Sequence, residues 1–225
     1  MTKKEFGALE RVMLKSMQRS VHDTGHIYRV LYYALRIAKT EPRANLDVVI
    51  TAALLHDIGR AKQDDYPGLG HAELGARMAW DILRKHGTSE KTAAHVRDCI
   101  RTHSYKGGKK PATLEAKILF DADKLDLTGA VGSARALLFG AEIDEPFYLT
   151  GPDGQPTPGK PDEGPSLLRE YNRKLKHLHT KFFTAKGRAL AKKRQKAMDA
   201  YFTAFEKEIR GGYKKGQKLL DEVLG

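Results

Sequence analysis

The sequence predicts an all-α protein, and three observations predict it. Apolar residues recur every three or four positions through most of the chain, no alternating strand pattern competes with them, and glycine and proline concentrate between the periodic runs. Phe6, Leu9, Met13 and Met17 keep helical spacing, as do His26, Val30, Tyr33 and Ile37 before Pro42 interrupts. Asn45 stands where a helix cap belongs, ahead of LDVVITAALLHDIG, whose near-continuous apolar run ends in Gly59. Such a run suits a short, central, buried helix. VVITAALL would also suit a strand, but its alanines and its helical neighbours favour the helix. Further helical patterns run through HAELGARMAWDILRKHG, SEKTAAHVRDCIRTHS and LEAKILFDADKLDLTGAVGSARALLFG.

A chain of 225 residues, 40% of them hydrophobic, can bury one main core with an appendage. Residues 151–165 hold five prolines and four glycines and cannot sustain a helix, so they divide a domain over 1–150 from an extension over 166–225. That extension carries 16 Lys and Arg against 6 Asp and Glu, about +10 of the total +12. Leu190, Ala197, Met198, Tyr201, Phe205 and Ile209 keep helical spacing within it, so it is expected as a basic amphipathic helix whose apolar face docks on the main domain. The charge favours a polyanionic partner, whether nucleotide, nucleic acid or anionic membrane surface. Cys99 is the one cysteine, which excludes an intramolecular disulfide and a cysteine-rich zinc site and suits a reducing compartment. No run of about 18 apolar residues appears, and the N-terminus lacks a continuous apolar core, so neither a membrane span nor a signal peptide is expected. The expected location is cytoplasmic.

Chemistry gathers at three places. His22 and His26 stand four apart on one helical face with Asp23 and Arg29 nearby, His56 and Asp57 end the buried helix, and Asp121, Asp123 and Asp126 cluster in FDADKLD. Imidazole and carboxylate together suit Mn, Fe, Ni, Co or Zn, and helical proteins build internal metal sites from ligands on separate helices. An isolated His-Asp pair would more often be a helix cap.

Order and context weigh against that bland account. HDTGHIYRV, AALLHDIGR and DADKLD resemble the signature of the HD-domain superfamily of metal-dependent phosphohydrolases: an early histidine, a His-Asp pair ending a hydrophobic helix, then a late aspartate. The resemblance covers residues 20 to about 140 and, more weakly, TAKGRALAKKRQKAMDAYFTAFEKEI, which is similar to the end of short bacterial members. It implies an all-α HD-domain helical bundle with His26, His56, Asp57 and Asp123 as ligands of a divalent cation. Manganese heads the ions it implies, with iron, nickel, cobalt, zinc and magnesium as alternatives. Asp123 is preferred to Asp121 because the family's late aspartate precedes a variable residue and a leucine, as in Asp123-Lys124-Leu125. His71 and His103 fall where two-metal members place extra ligands, so with Asp57 they would hold a second ion or else contact substrate phosphate. One nucleotidase branch has glutamate where this chain has Arg60, so that branch's proposed acid or base is not carried over.

The expected reaction is hydrolysis of a phosphate ester or anhydride, with a nucleotide as substrate and a metal-activated water as nucleophile. Asp57, Arg60 and Asp23 are the expected catalytic residues, and Arg29, Arg60, His71, His103 and Lys124 the expected substrate contacts. Asp64, Asp65 and Glu73 are further candidates for proton handling. The alternative is a nucleic-acid-binding protein that uses the basic C-terminal helix and keeps a structural or nuclease-type metal, although interleaved aromatic platforms are absent. GAVG at 129–132 lacks the spacing and preceding strand of a phosphate loop and suits close helix packing in the turn after Leu127 instead. Trp80 is expected in the core.

Overall fold

The computed structural model describes residues 1–17, 24–104 and 110–225. Their regular structure is helical: α1 (Lys3–Met17), α2 (Thr24–Ala38), α3 (Leu46–Leu55), α4 (His71–Lys85), α5 (Glu90–Arg101), α6 (Leu114–Leu125), α7 (Gly129–Glu142), α8 (Leu167–Arg173) and α9 (Ala185–Leu224). Two 3-10 helices, Arg60–Asp65 and Leu175–Thr180, complete the order, and a single antiparallel bridge joins Thr150 to Pro156. Among these residues no helix is long and apolar enough to cross a membrane.

The chain forms two compact units. The first holds Met1–Asp126 and Phe182–Gly187; the second holds Leu127–Lys181 and Arg188–Gly225. In the first unit α3 is the central element, packed by α1, α2, α5 and α6, while α4 lies along α5. Its burial follows from composition, since Val48, Val49, Ala52, Ala53, Leu54 and Leu55 leave no solvated stripe. Each such side chain removed from water contributes roughly 1.5–3 kcal/mol at leucine size, which outweighs the strand preference of its two valines and isoleucine. Asn45 caps α3 as its type suggests, its side chain accepting from the N–H groups of Asp47 and Val48, while Glu115 Oε1 accepts from the Asn45 N–H at 2.7 Å.

In the second unit Leu167, Leu168, Tyr171 and Leu175 form a core with Met198 and Phe202 of α9. The Tyr171 and Phe202 rings stack at 3.9 Å. The basic segment is therefore an amphipathic helix, as its spacing predicts. The Pro- and Gly-rich residues 151–165 lie within this unit, where Arg210 donates to the Pro156 carbonyl.

One helical pattern over residues 114–140 is broken in two. Thr128 takes an extended conformation, and Gly129 follows at φ +68°, a left-handed conformation that glycine enters without steric cost. At Gly132 an added Cβ would fall 2.3 Å from the Leu127 carbonyl oxygen and 2.9 Å from Met198 Cε. GAVG is thus a packing motif in the turn after Leu127. Trp80, expected in the core, is only half-buried, and Arg97 lies over its ring at 5.1 Å.

Candidate metal centre

Every described residue of the site belongs to the first unit. The apolar helix α3 delivers His56 and Asp57, both fully buried, at its C-terminal end. Close approach of α4 depends on Gly59, where a Cβ would stand 2.5 Å from the Gly75 nitrogen and 2.7 Å from the His71 carbonyl oxygen. Only glycine leaves that space, and it lets His71, the first residue of α4, reach Asp57. His26 comes from the first turn of α2, His103 from just beyond α5, and Asp123 from the last turn of α6.

His26 Nε2 lies 3.3 Å from His56 Nε2, 3.4 Å from Asp123 Oδ1 and 3.6 Å from Asp57 Oδ2. His56 Nε2 lies 3.7 Å from Asp57 Oδ2 and 3.9 Å from Asp123 Oδ1. Donors held about 2.1 Å from one cation stand roughly 3–3.5 Å apart, so these four atoms surround a space of about the right size. The other oxygen of Asp57 faces a second set: Oδ1 lies 3.5 Å from His103 Nε2 and 3.8 Å from His71 Nε2. Asp57 Oδ1, His71 Nε2 and His103 Nε2 are buried without a hydrogen-bond partner among the described residues. Three orphaned polar atoms converging in one place call for a ligand.

Hydrogen bonds on the far side of two rings say what kind. His56 Nδ1 meets the Ala53 carbonyl at 2.8 Å, and His103 Nδ1 meets the Ile100 carbonyl at 2.6 Å. A carbonyl can only accept, so each Nδ1 carries a proton, and Nε2 is the nitrogen of each ring whose lone pair is left for an inward ligand. Lone pairs facing carboxylate oxygens repel unless a cation lies between them. The donor set therefore fits a divalent metal, in agreement with the expectation that the histidine-aspartate constellation binds one.

The protonation tendencies agree for most of the set. Burial, outweighing the opposing pull of the Asp57 carboxylate, pushes His56 down to about 4. Burial followed by Arg60 and His103 pushes His71 to about 3. Burial alone would raise Asp57, but His56, His103 and Arg60 hold it well below the carboxylate range. Asp123 is likewise held low, because Lys124 and His26 outweigh its burial. His26 runs the other way, since hydrogen bonds to Asp123 and Asp126 outweigh burial and raise it to about 9. In the absence of a cation, a proton on His26 balances the carboxylates around it.

The cations expected to hold substrate are engaged with site carboxylates. Arg60 donates its Nε to Asp57 Oδ2 and stays a quarter exposed. Lys124 is buried, donating to Asp123 Oδ2 at 2.6 Å beneath the Phe120 ring. Arg29 donates to both oxygens of Asp126, at 2.6 and 3.0 Å. Asp64 and Asp65 are exposed on the 3-10 helix, and Glu73 accepts from Arg101 and Arg77. Asp23 and His22 lie outside the described residues. His95 pairs with Glu115 at 3.1 Å, apart from both donor sets.

Two aspartates in FDADKLD have contacts that the sequence alone did not assign. Asp126 Oδ2 meets His26 Nδ1 at 2.8 Å. Asp121 accepts from the Phe183 and Thr184 N–H groups and the Thr184 hydroxyl, tying Phe182–Gly187 into the first unit. The spacing held a signal for Asp126, because positions three apart in a helix share a face and Asp123 lies three before it.

Comparison with known proteins gives concordant results. The HD domain family model matches residues 24–128. An uncharacterized protein of Bacillus subtilis (strain 168), YpgQ, is 31% identical over 198 residues, covering 86% of this chain and 87% of YpgQ. The crystal structure of B. subtilis YpgQ in complex with ADP superposes with a TM-score of 0.69 at 29% identity, covering 94% of this chain and 98% of that one. A predicted HD superfamily hydrolase from an uncultured Thermotogales bacterium gives a TM-score of 0.60 at 29% identity, covering 92% of each chain.

Proposed function

The chain belongs to the HD-domain superfamily of metal-dependent phosphohydrolases, and we propose that it hydrolyses a phosphate ester or anhydride of a nucleotide. The observation that carries this reading is the buried Asp57 carboxylate, which turns one oxygen to each of two imidazole-lined donor sets. His26, His56, Asp57 and Asp123 would hold one divalent cation, with manganese the expected ion among the metals that a mixed nitrogen and oxygen set admits. Asp57, His71 and His103 would hold a second. Bound there, such cations supply hydroxide near neutral pH and offset the charge on the phosphoryl oxygens.

The chain's own residues do the rest. His56 and His103, each fixed by a backbone carbonyl, keep their lone pairs aimed inward without reorganisation during turnover. Arg60, anchored through Nε and still partly exposed, is placed to grip a non-reacting phosphate oxygen. Lys124 is spent on Asp123 and acts by holding that carboxylate in place. The ADP in the YpgQ crystal structure supports a nucleotide as the ligand class for this chain too.

The test is a panel of nucleoside mono-, di- and triphosphates, cyclic nucleotides and dinucleoside polyphosphates, assayed with Mn, Mg, Co and Ni. At least one member should release phosphate or pyrophosphate, and Asp123→Ala should abolish both turnover and metal uptake. Turnover that survives Asp123→Ala would place the chemistry elsewhere. Silence across the panel with metal bound would favour nucleic-acid binding through α9 with a structural metal.

A further inference from the structure

We infer that Asp126 is a positioning residue of the metal centre, which fixes His26 with its Nε2 lone pair facing the cation, and that Arg29 serves Asp126 rather than the substrate. The inference rests on the metal-centre reading above and deepens it.

His26 has two ring nitrogens, and only Nε2 points at the other donors. Something must dictate which nitrogen keeps the proton when a metal binds. For His56 and His103 a backbone carbonyl three residues earlier does so. For His26 the partner at Nδ1 is a side chain, Asp126 Oδ2 at 2.8 Å, fully buried. An ionised carboxylate can only accept, so Nδ1 must donate and Nε2 is left for the cation. A carboxylate in this role also makes the imidazole a more basic ligand than a carbonyl does.

A buried carboxylate needs a cation of its own, and Arg29 supplies it through Nε at 2.6 Å and Nη2 at 3.0 Å. The four residues link α2 to the C-terminal end of α6. On α2, Arg29 follows His26 by three residues; Asp126, the residue that caps the end of α6, follows Asp123 by three, with its N–H bonded to the Asp123 carbonyl at 3.1 Å. Each helix therefore contributes one ligand and, one turn later, one residue that locks the opposite helix. With both oxygens of Asp126 engaged by its guanidinium, Arg29 is already committed within the protein.

The experiment compares stripped wild type with Asp126→Asn and Arg29→Gln, titrating each with manganese by calorimetry and recording the visible spectrum of the cobalt-loaded forms. Asp126→Asn should bind manganese about 10–100-fold more weakly, with a shifted cobalt spectrum and unchanged helicity, and Arg29→Gln should lose less. At saturating metal the nucleotide KM of Arg29→Gln should match wild type. A raised KM with unchanged manganese affinity would return Arg29 to the substrate and overturn the inference. So would affinities within about threefold of wild type in both variants, since removal of such a partner costs at least tenfold. Should Asp126→Asn fail to fold, Arg29→Gln alone still gives either result. A wild type that takes up no cation would overturn the metal reading itself, which distinguishes the two failures.

Discussion

Three aspartates within six residues of FDADKLD do three different things. Asp121 clamps the start of α9, Asp123 faces the metal donors, and Asp126 holds the far side of His26. Sequence reasoning isolated Asp123 through its resemblance to a family pattern, but the other two roles depend on backbone and side chains 60 to 100 positions away. Such pairings leave no local spacing to read. Arg29 shows the same limit from the other side: proximity to His26 suggested a phosphate contact, yet a guanidinium beside a buried carboxylate is drawn to it. Cys99 offers a separate check on burial in this unit. Burial pushes its thiol up to about 12, and the hydroxyl of Thr113 offsets this only in part. The unfolded chain ionises first, near its ordinary value of about 9, so the thiol's stabilising contribution is complete below that and is lost as pH rises towards 12. A disulfide-exchange reagent at pH 8 should react about a hundredfold more slowly with native than with denatured protein. Equal rates would contradict the buried thiol.

At the scale of elements, strong periodicity and the Pro- and Gly-rich interruptions were legible, while exact helix ends were not. The helix over LDVVITAALL and its Asn45 cap follow from local chemistry alone, whereas the helix ends at Leu55, and Gly59, expected to end it, has a right-handed φ of −81°. The turn after Leu127 was legible in GAVG, but the apolar spacing that continues across Asp126–Thr128 gave no sign that α6 ends at Leu125. Helix α8 was missed because seven residues beside a Pro- and Gly-rich stretch are too few to establish a period. Gly59 ties element packing to the site. Gly59→Ala would force its Cβ against the backbone of Gly75 and His71, which cannot yield as a flexible side chain would. It should cost about 1–3 kcal/mol in a urea unfolding titration of the metal-free protein. Manganese binding should weaken alongside, as His71 is displaced. An unchanged unfolding midpoint would mean that α3 and α4 approach each other less closely.

At the scale of the whole molecule, net charge and chemistry occupy different stretches of the chain. About +10 of the +12 lies beyond residue 165, whereas the donor sets lie before residue 127. The helical fold was legible because periodicity is a global signal repeated along the chain, and the residues now proposed as ligands were singled out through their resemblance to a family pattern. The resemblance already placed Asp57 in both donor sets; what remained hidden was which of its oxygens faces each, since that requires α3, α4 and the end of α5 to meet at Asp57. The most direct measurement is anomalous diffraction from crystals grown with manganese. An anomalous peak should lie about 2–2.5 Å from His26 Nε2, His56 Nε2, Asp57 Oδ2 and Asp123 Oδ1, with a second peak bounded by Asp57 Oδ1, His71 and His103 at higher manganese. Empty density among these atoms at saturating manganese, or a peak held by other residues, would contradict the account.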